Sequence, residues 1–312
     1  MSSMHDAPKR DAHSAPISVA TVRQRFAQPQ RCEPSQFLRR EISARMQERL
    51  ALIKIKPARL LDAGCGEGRD LLALQQTFPE ATLLGVDAAQ PMLNAARAAS
   101  AASRSALQTF ITRLLGGHSL HSSAAMLVCG DFARLPMPSG SVDMLWSNLA
   151  LHWHPQPHAV IAEWARVLRS DGLLMFSCFG PDTFAELREV FDALQMPSRV
   201  LPFVDLHDYG DMLQDAGMAT PVMDMEKITL TYASTEALLA DVRAMGGNPL
   251  NERPRGLQGR QRWQQVLNAL DQRRDSDGRI SLTVEVIYGH AFRPIPKRNQ
   301  QGEHIIRFEP RR

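Results

Sequence analysis

A chain of 312 residues with 44% hydrophobic and 22% charged side chains has the composition of an ordinary soluble globular protein, with a core large enough to enclose a nucleotide-sized pocket. A formal net charge of +3 is too small to imply nucleic acid as a partner, and no apolar run approaches the roughly 18 residues that suggest a membrane span. The four cysteines, Cys32, Cys65, Cys129 and Cys178, form no C-x-x-C pair, so neither a zinc knuckle nor a redox dithiol is indicated, and the set fits a reducing cytoplasm.

The first twenty residues are polar, contain Asp6, Lys9, Arg10 and Asp11, and lack the apolar stretch of a secretory signal, so they read as a tail. Residues 37–53 read as an amphipathic helix, because Phe37, Ile42, Met46, Leu50 and Ile53 recur near helical spacing until Pro57 breaks the pattern. Strand and helix then alternate. Residues 59–63 predict a strand, 69–78 a helix, 82–87 a strand, and an alanine-rich helix starts at Pro91. Residues 100–124, rich in Ser, Ala, Gly and His, read as a surface insertion. Strands follow at 125–129, 142–147 and 173–179, with a helix at 158–168 between the last two. Beyond Gly180 the alternation loosens into helices near 183–194, 206–216 and 235–245, a strand at 282–288, and a polar tail from Pro294. This order implies an α/β fold with a mostly parallel sheet covered by helices on both faces.

The first strand runs into Gly64-x-Gly66-x-Gly68 and then a helix. Glycine lets the chain turn sharply and lets a ligand approach the backbone, while the helix start offers unpaired N–H groups to an anion. Asp62 stands just before the first glycine, where it can accept from an ammonium group. Asp87 ends the second strand, where an acid can hold ribose hydroxyls, and Asp131 with Phe132 follows the third, where a carboxylate and an aromatic ring suit an adenine. Dinucleotide-binding enzymes use G-x-G-x-x-G; here the third glycine comes one place earlier.

That variant, with Gly130-Asp131, resembles the class I S-adenosylmethionine-dependent methyltransferases. The resemblance implies a Rossmann-like, mostly parallel seven-stranded sheet with one antiparallel strand, and S-adenosyl-L-methionine as cofactor. It assigns the methionine part to Asp62, Gly64, Cys65 and Gly66, the ribose to Asp87 and Ala88, and the adenine to Asp131 and Phe132. Asn148 falls past the fourth strand, where the transferred methyl should lie. It further implies a tail and lid helix over 1–57, a methyltransferase domain over 58–293 (cofactor core 58–180, substrate side 181–293) and a C-terminal tail over 294–312.

A narrower resemblance rests on Trp146-Ser147-Asn148-Leu149-Ala150-Leu151-His152-Trp153, on Gly180-Pro181-Asp182-Thr183-Phe184-Ala185-Glu186-Leu187-Arg188, and on Pro202-Phe203-Val204-Asp205-Leu206-His207-Asp208. Together these look like the malonyl-acyl-carrier-protein O-methyltransferase family of biotin biosynthesis, which implies malonyl-acyl-carrier protein as partner and a carboxylate as methyl acceptor. Where that family carries a tyrosine–aspartate pair in its lid, this chain has Gln30-Arg31-Cys32-Glu33-Pro34. The Gly180–Arg188 stretch also resembles an assembly factor that hydroxylates a protein arginine. A methyltransferase for another small acid or hydroxyl is a third reading.

An ionised carboxylate needs no general base, so no catalytic triad is expected, and no G-x-S-x-G motif occurs. A buried carboxylate does call for a cation, for which arginine's planar fork is best suited, and Arg188 is the candidate; His152 is the second catalytic candidate, beside Asn148. His154, His158 and His207 lack metal-ligand spacing, so no metal is expected. Arg253, Arg255, Arg260, Arg262, Arg273 and Arg274 form a basic stretch suited to an acidic carrier.

Overall fold

A computed structural model describes residues 16–115, 125–197, 200–251 and 259–296, with the backbone alone for 103–115. Seven strands form one sheet: β1 (Arg59–Ala63), β2 (Thr82–Asp87), β3 (Met126–Cys129), β4 (Val142–Asn148), β5 (Leu168–Phe179), β6 (Ala219–Tyr232) and β7 (Ile280–Phe292). Their order is β3-β2-β1-β4-β5-β7-β6. β1 to β5 pair in parallel, and β7 runs antiparallel to both β5 and β6, so one strand of the seven is reversed. The strand order turns back between β1 and β4, and in such sheets a crevice opens beyond the carboxyl ends of the strands at that point.

Two apolar layers sandwich the sheet, because successive strand residues point to opposite faces. On one face Leu60, Met144, Trp146 and Met175 pack under α3 (Gln36–Leu50), α4 (Arg69–Thr77), α7 (Ala185–Ala193) and α9 (Thr235–Ala244). On the other Leu61, Leu145, Leu174 and Phe176 pack under α6 (Pro157–Val167) and α8 (Leu206–Asp215). Tying Trp146 to α4, its indole Nε1 donates to Asp70 at 2.9 Å.

Four expectations change. The alanine-rich helix α5 spans Gln90–Leu115 and takes in the first part of the expected insertion: the alanines of 96–106 carry the helix on, and no glycine interrupts it before Gly116. The rest of that insertion, 116–124, lies outside the described residues, as do the N-terminal tail before Pro16 and the C-terminal tail from residue 297. Residues 16–20 belong to the fold, because Ile17 bridges to Leu250 and Ser18 caps α1 (Val19–Phe26). The fourteen-residue edge strand β6 was not expected; Pro221 sits at its register shift, where a missing N–H costs no ladder bond, and its presence masked the alternation that follows. Finally, α10 (Arg260–Asp271) buries Val266 and Leu270 and so packs on the core.

Candidate functional site

The crevice is built from backbone bonds between consecutive strand tips. Leaving β1, the chain turns so that the N–H groups of Gly64 and Cys65 both donate to the Val86 carbonyl, at 2.8 and 3.1 Å. Gly64 has φ +82°, and a Cβ there would lie 2.4 Å from the Ala150 Cβ, so the loop after β1 touches the loop after β4 only because glycine stands at 64. At Gly66, with φ +50°, the N–H donates to Asp87 Oδ2 at 2.9 Å, and Asp87 Oδ1 accepts from Ala89 at 2.8 Å. Asp87 thus clamps the glycine loop to the end of β2. Burial raises its carboxyl above the usual range, and these two bonds oppose the shift.

Asp62 is 2% exposed, and its Oδ2 has no hydrogen-bond partner. Burial, then the neighbouring Asp70 and Asp87 charges, hold its carboxyl well above the ordinary value. A buried acid with an orphaned oxygen beside two other acids is costly for the free fold and suits a cationic ligand group. Asp131 accepts from the Ala133 N–H at 2.8 Å, which fixes the turn after β3, and the Phe132 ring packs 6.1 Å from Trp164 and 6.0 Å from His154.

These groups surround a cavity of about 350 Å³, and all nine residues expected to hold the cofactor line it. The orphaned Asp62 oxygen, the bare backbone at Gly66 and the Phe132 ring fit the ammonium, carboxylate and adenosyl parts of S-adenosylmethionine.

The two residues proposed for catalysis stand elsewhere. Neither Arg188 nor His152 lines the cavity. Arg188 gives its guanidinium to the carbonyls of Pro181 (2.9 and 2.8 Å) and Thr183 (3.0 Å), bracing the loop after β5. His152 is buried among Trp153, Phe179 and Phe203, with ring centroids 4.7, 4.6 and 5.6 Å away, and its Nδ1 accepts from the Phe179 N–H at 3.3 Å. Burial, with the charge of Arg39, lowers its pKa to about 3, so it is neutral at physiological pH.

Sequence reasoning expected a lid within 1–57 but named none of the lid residues that face the cavity opposite the glycine loop. The helices α1, α2 (Pro29–Cys32) and α3 close the cavity with Val19, Val22, Phe26, Cys32, Gln36 and Arg39. The signal was present: Val19, Val22 and Phe26 recur at helical spacing. This lid is latched to the segment 244–251. Arg25 donates to the carbonyls of Gly246 (3.2 Å) and Asn248 (2.9 Å), Ser35 Oγ donates to that of Ala244 (3.0 Å), and the Ser18 N–H donates to that of Pro249 (3.0 Å). Asn148 joins the lid to the sheet: its Nδ2 donates to the Arg39 carbonyl at 3.1 Å, and its Oδ1 accepts from Ser177 at 2.9 Å.

Among the described residues no group of three or more His, Cys, Asp or Glu is placed to hold a metal, and no helix is long and apolar enough to cross a membrane. Of the basic stretch, Arg273 pairs with Glu189 (2.5 Å) and Arg274 with Asp271 (2.6 Å), while Arg260 and Arg262 are exposed; Arg253 and Arg255 lie outside the described residues.

Residues 61–176 match the family described as Methyltransferase domain. The fold is similar to that of the YcgJ protein of Bacillus subtilis (TM-score 0.51, 18% identity, 76% of this chain and 92% of that one) and of a chain from Bacillus halodurans (TM-score 0.53, 18% identity, 81% and 99%). A malonyl-[acyl-carrier protein] O-methyltransferase of Laribacter hongkongensis is 47% identical over 88% of this chain and 89% of its own. One of Gallionella capsiferriformans is 40% identical over 93% and 96%. Identity of that extent over most of both chains shows that the chain belongs to the malonyl-[acyl-carrier protein] O-methyltransferase family and is an S-adenosylmethionine-dependent methyltransferase.

Proposed function

We propose that the enzyme methylates the free carboxylate of malonyl-acyl-carrier protein, the methyl-ester step of biotin biosynthesis. Support comes from the relatives' shared name and from a cavity lined by all nine residues expected to hold the cofactor. S-adenosylmethionine supplies the methyl group as a sulfonium that is open to in-line displacement. Asp62 would hold the ammonium through its orphaned oxygen, the open backbone at Gly66 would lie against the methionine part, Asp87 would hold the ribose hydroxyls, and Asp131 with Phe132 would take the adenine edge and face.

The acceptor carboxylate is already ionised at neutral pH, so the protein moves no proton. Its task is alignment and exclusion of water, for which the lid serves. The neutral His152 fits this chemistry as a positioning residue that fills the aromatic wall behind Trp153, and Arg188 as the brace of the loop after β5. The ester removes a negative charge, so the product can enter an apolar site that the free acid could enter only at a large desolvation cost. Arg260 and Arg262 remain available to an acidic carrier.

Incubation of the protein with S-adenosylmethionine labelled in the methyl group and malonyl-acyl-carrier protein tests the reading. A label on the carrier that mild alkali releases as methanol is the expected result; a label absent, or stable to alkali, overturns it.

A further inference from the structure

With Arg188 committed to the loop carbonyls of Pro181 and Thr183, the cavity needs another cation for the acceptor. Arg39 lies on its wall. Its surroundings differ from those of the arginines that stabilise the fold. Arg45, Arg49, Arg166 and Arg169 each reach a carboxylate at 2.6–2.9 Å. The recorded hydrogen bond of Arg39 runs from Nη1 to the Cys32 carbonyl at 3.2 Å, and among the described residues it forms no ion pair. Arg69 at the cavity edge is exposed and pairs with Glu67 at 3.4 Å, and Arg23 and Arg40 are exposed.

Position narrows the role further. The Arg39 carbonyl accepts from Asn148, the last residue of β4, so the arginine is tied to the strand tip beyond which the acceptor would lie on the carboxyl-methylation reading. The glycine loop, with Asp62 before it, stands at the tip of a different strand, β1. Burial lowers the pKa of Arg39, and Cys32 and the Glu67 charge offset that cost only in part, without an ion pair, so an anionic group bound beside it would be stabilised.

We infer that Arg39 is the cation that receives the acceptor's carboxylate and selects a charged malonyl-type thioester over its neutral ester. The inference rests on the carboxyl-methylation reading. In the step, one carboxylate oxygen bonds to the methyl carbon while the carbon–sulfur bond breaks with its electron pair on sulfur. Arg39 loses its anionic partner as the ester forms, which favours product release.

The test uses the full chain saturated with S-adenosylhomocysteine and titrated calorimetrically with malonyl-pantetheine and with its methyl ester. Wild type should bind the acid more tightly than the ester. Arg39→Met should weaken the acid at least about 30-fold, leave the ester within about threefold, and remove the preference, with Arg39→Lys recovering part of it. Equal binding of the acid by wild type and Arg39→Met overturns the assignment, as does equal weakening of acid and ester. A third overturning result is a loss of cofactor affinity in Arg39→Met that vanishes with decarboxylated S-adenosylmethionine, because that places Arg39 on the methionine carboxylate. Melting curves of both variants show whether they are folded. Wild type that neither binds nor methylates malonyl-pantetheine sinks the carboxyl-methylation reading first and this inference with it; wild type active and Arg39→Met unchanged sinks this inference alone.

Discussion

The two walls of the cavity are made in opposite ways. The glycine-loop wall is assembled from strand tips adjacent in the sheet, by short-range geometry: Gly64 and Cys65 reach the Val86 carbonyl, and Asp87 reaches back to Gly66. The lid wall is held by contacts between residues more than 200 positions apart, with Arg25 on Gly246 and Asn248 and Ser35 on Ala244. Among the described residues, the first wall carries a buried acid with an orphaned oxygen, Asp62, and the second a cation without an ion pair, Arg39. On the proposed function, a zwitterionic cofactor and an anionic acceptor would relieve both. Substitutions on the two walls should separate accordingly.

The largest effect is expected at Asp62. Asp62→Asn keeps the shape but removes the anion proposed to face the cofactor's ammonium, and S-adenosylhomocysteine affinity should fall by about 2–4 kcal/mol in a calorimetric titration. The free protein should respond in the other sense. Because the folded carboxyl titrates above its unfolded value, the native state binds more protons than the unfolded chain across that interval, so stability falls as pH rises through it. Urea unfolding at a series of pH values should show a shallower decline in Asp62→Asn, and an unchanged slope would remove Asp62 from the account.

Gly64→Ala comes next. The new Cβ would need φ +82° and would clash with Ala150, so unfolding free energy should drop by about 1–3 kcal/mol and cofactor affinity with it. On the opposite wall, Arg25→Ala should release the lid. Cofactor affinity should weaken about tenfold, roughly 1.4 kcal/mol, while limited proteolysis before residue 36 accelerates. A lid variant with wild-type affinity and protection would show that the latch does not govern closure.

The smallest effect on catalysis is expected at His152. With its pKa near 3 it stays neutral, so His152→Phe should keep activity within about threefold across neutral pH and cost roughly 1 kcal/mol for the lost Phe179 bond. The linkage sign is opposite to that of Asp62. Between the unfolded imidazole value and about 3 the unfolded chain binds the extra proton, so wild-type stability falls with decreasing pH, and His152→Phe should flatten that limb. An inflection in the rate of wild type near pH 6.5 that the variant loses would instead give His152 a part in the chemistry.

The sequence by itself determined the β1–β5 framework, the glycine loop and the acids at 62, 87 and 131, because strand alternation and tight turns are written in neighbouring residues. It also carried the family, through motifs that run in register with the strand tips. Only the tertiary structure decided what faces the cavity from the lid. Arg39 and Arg188 look alike as helix arginines, and nothing local distinguishes the one on the cavity wall from the one that caps loop carbonyls. The edge strand β6 and the latch at 244–251 were hidden for the same reason. Their pairing is set by distant partners, whose stabilisation of a given backbone position is invisible to a pattern read along the chain.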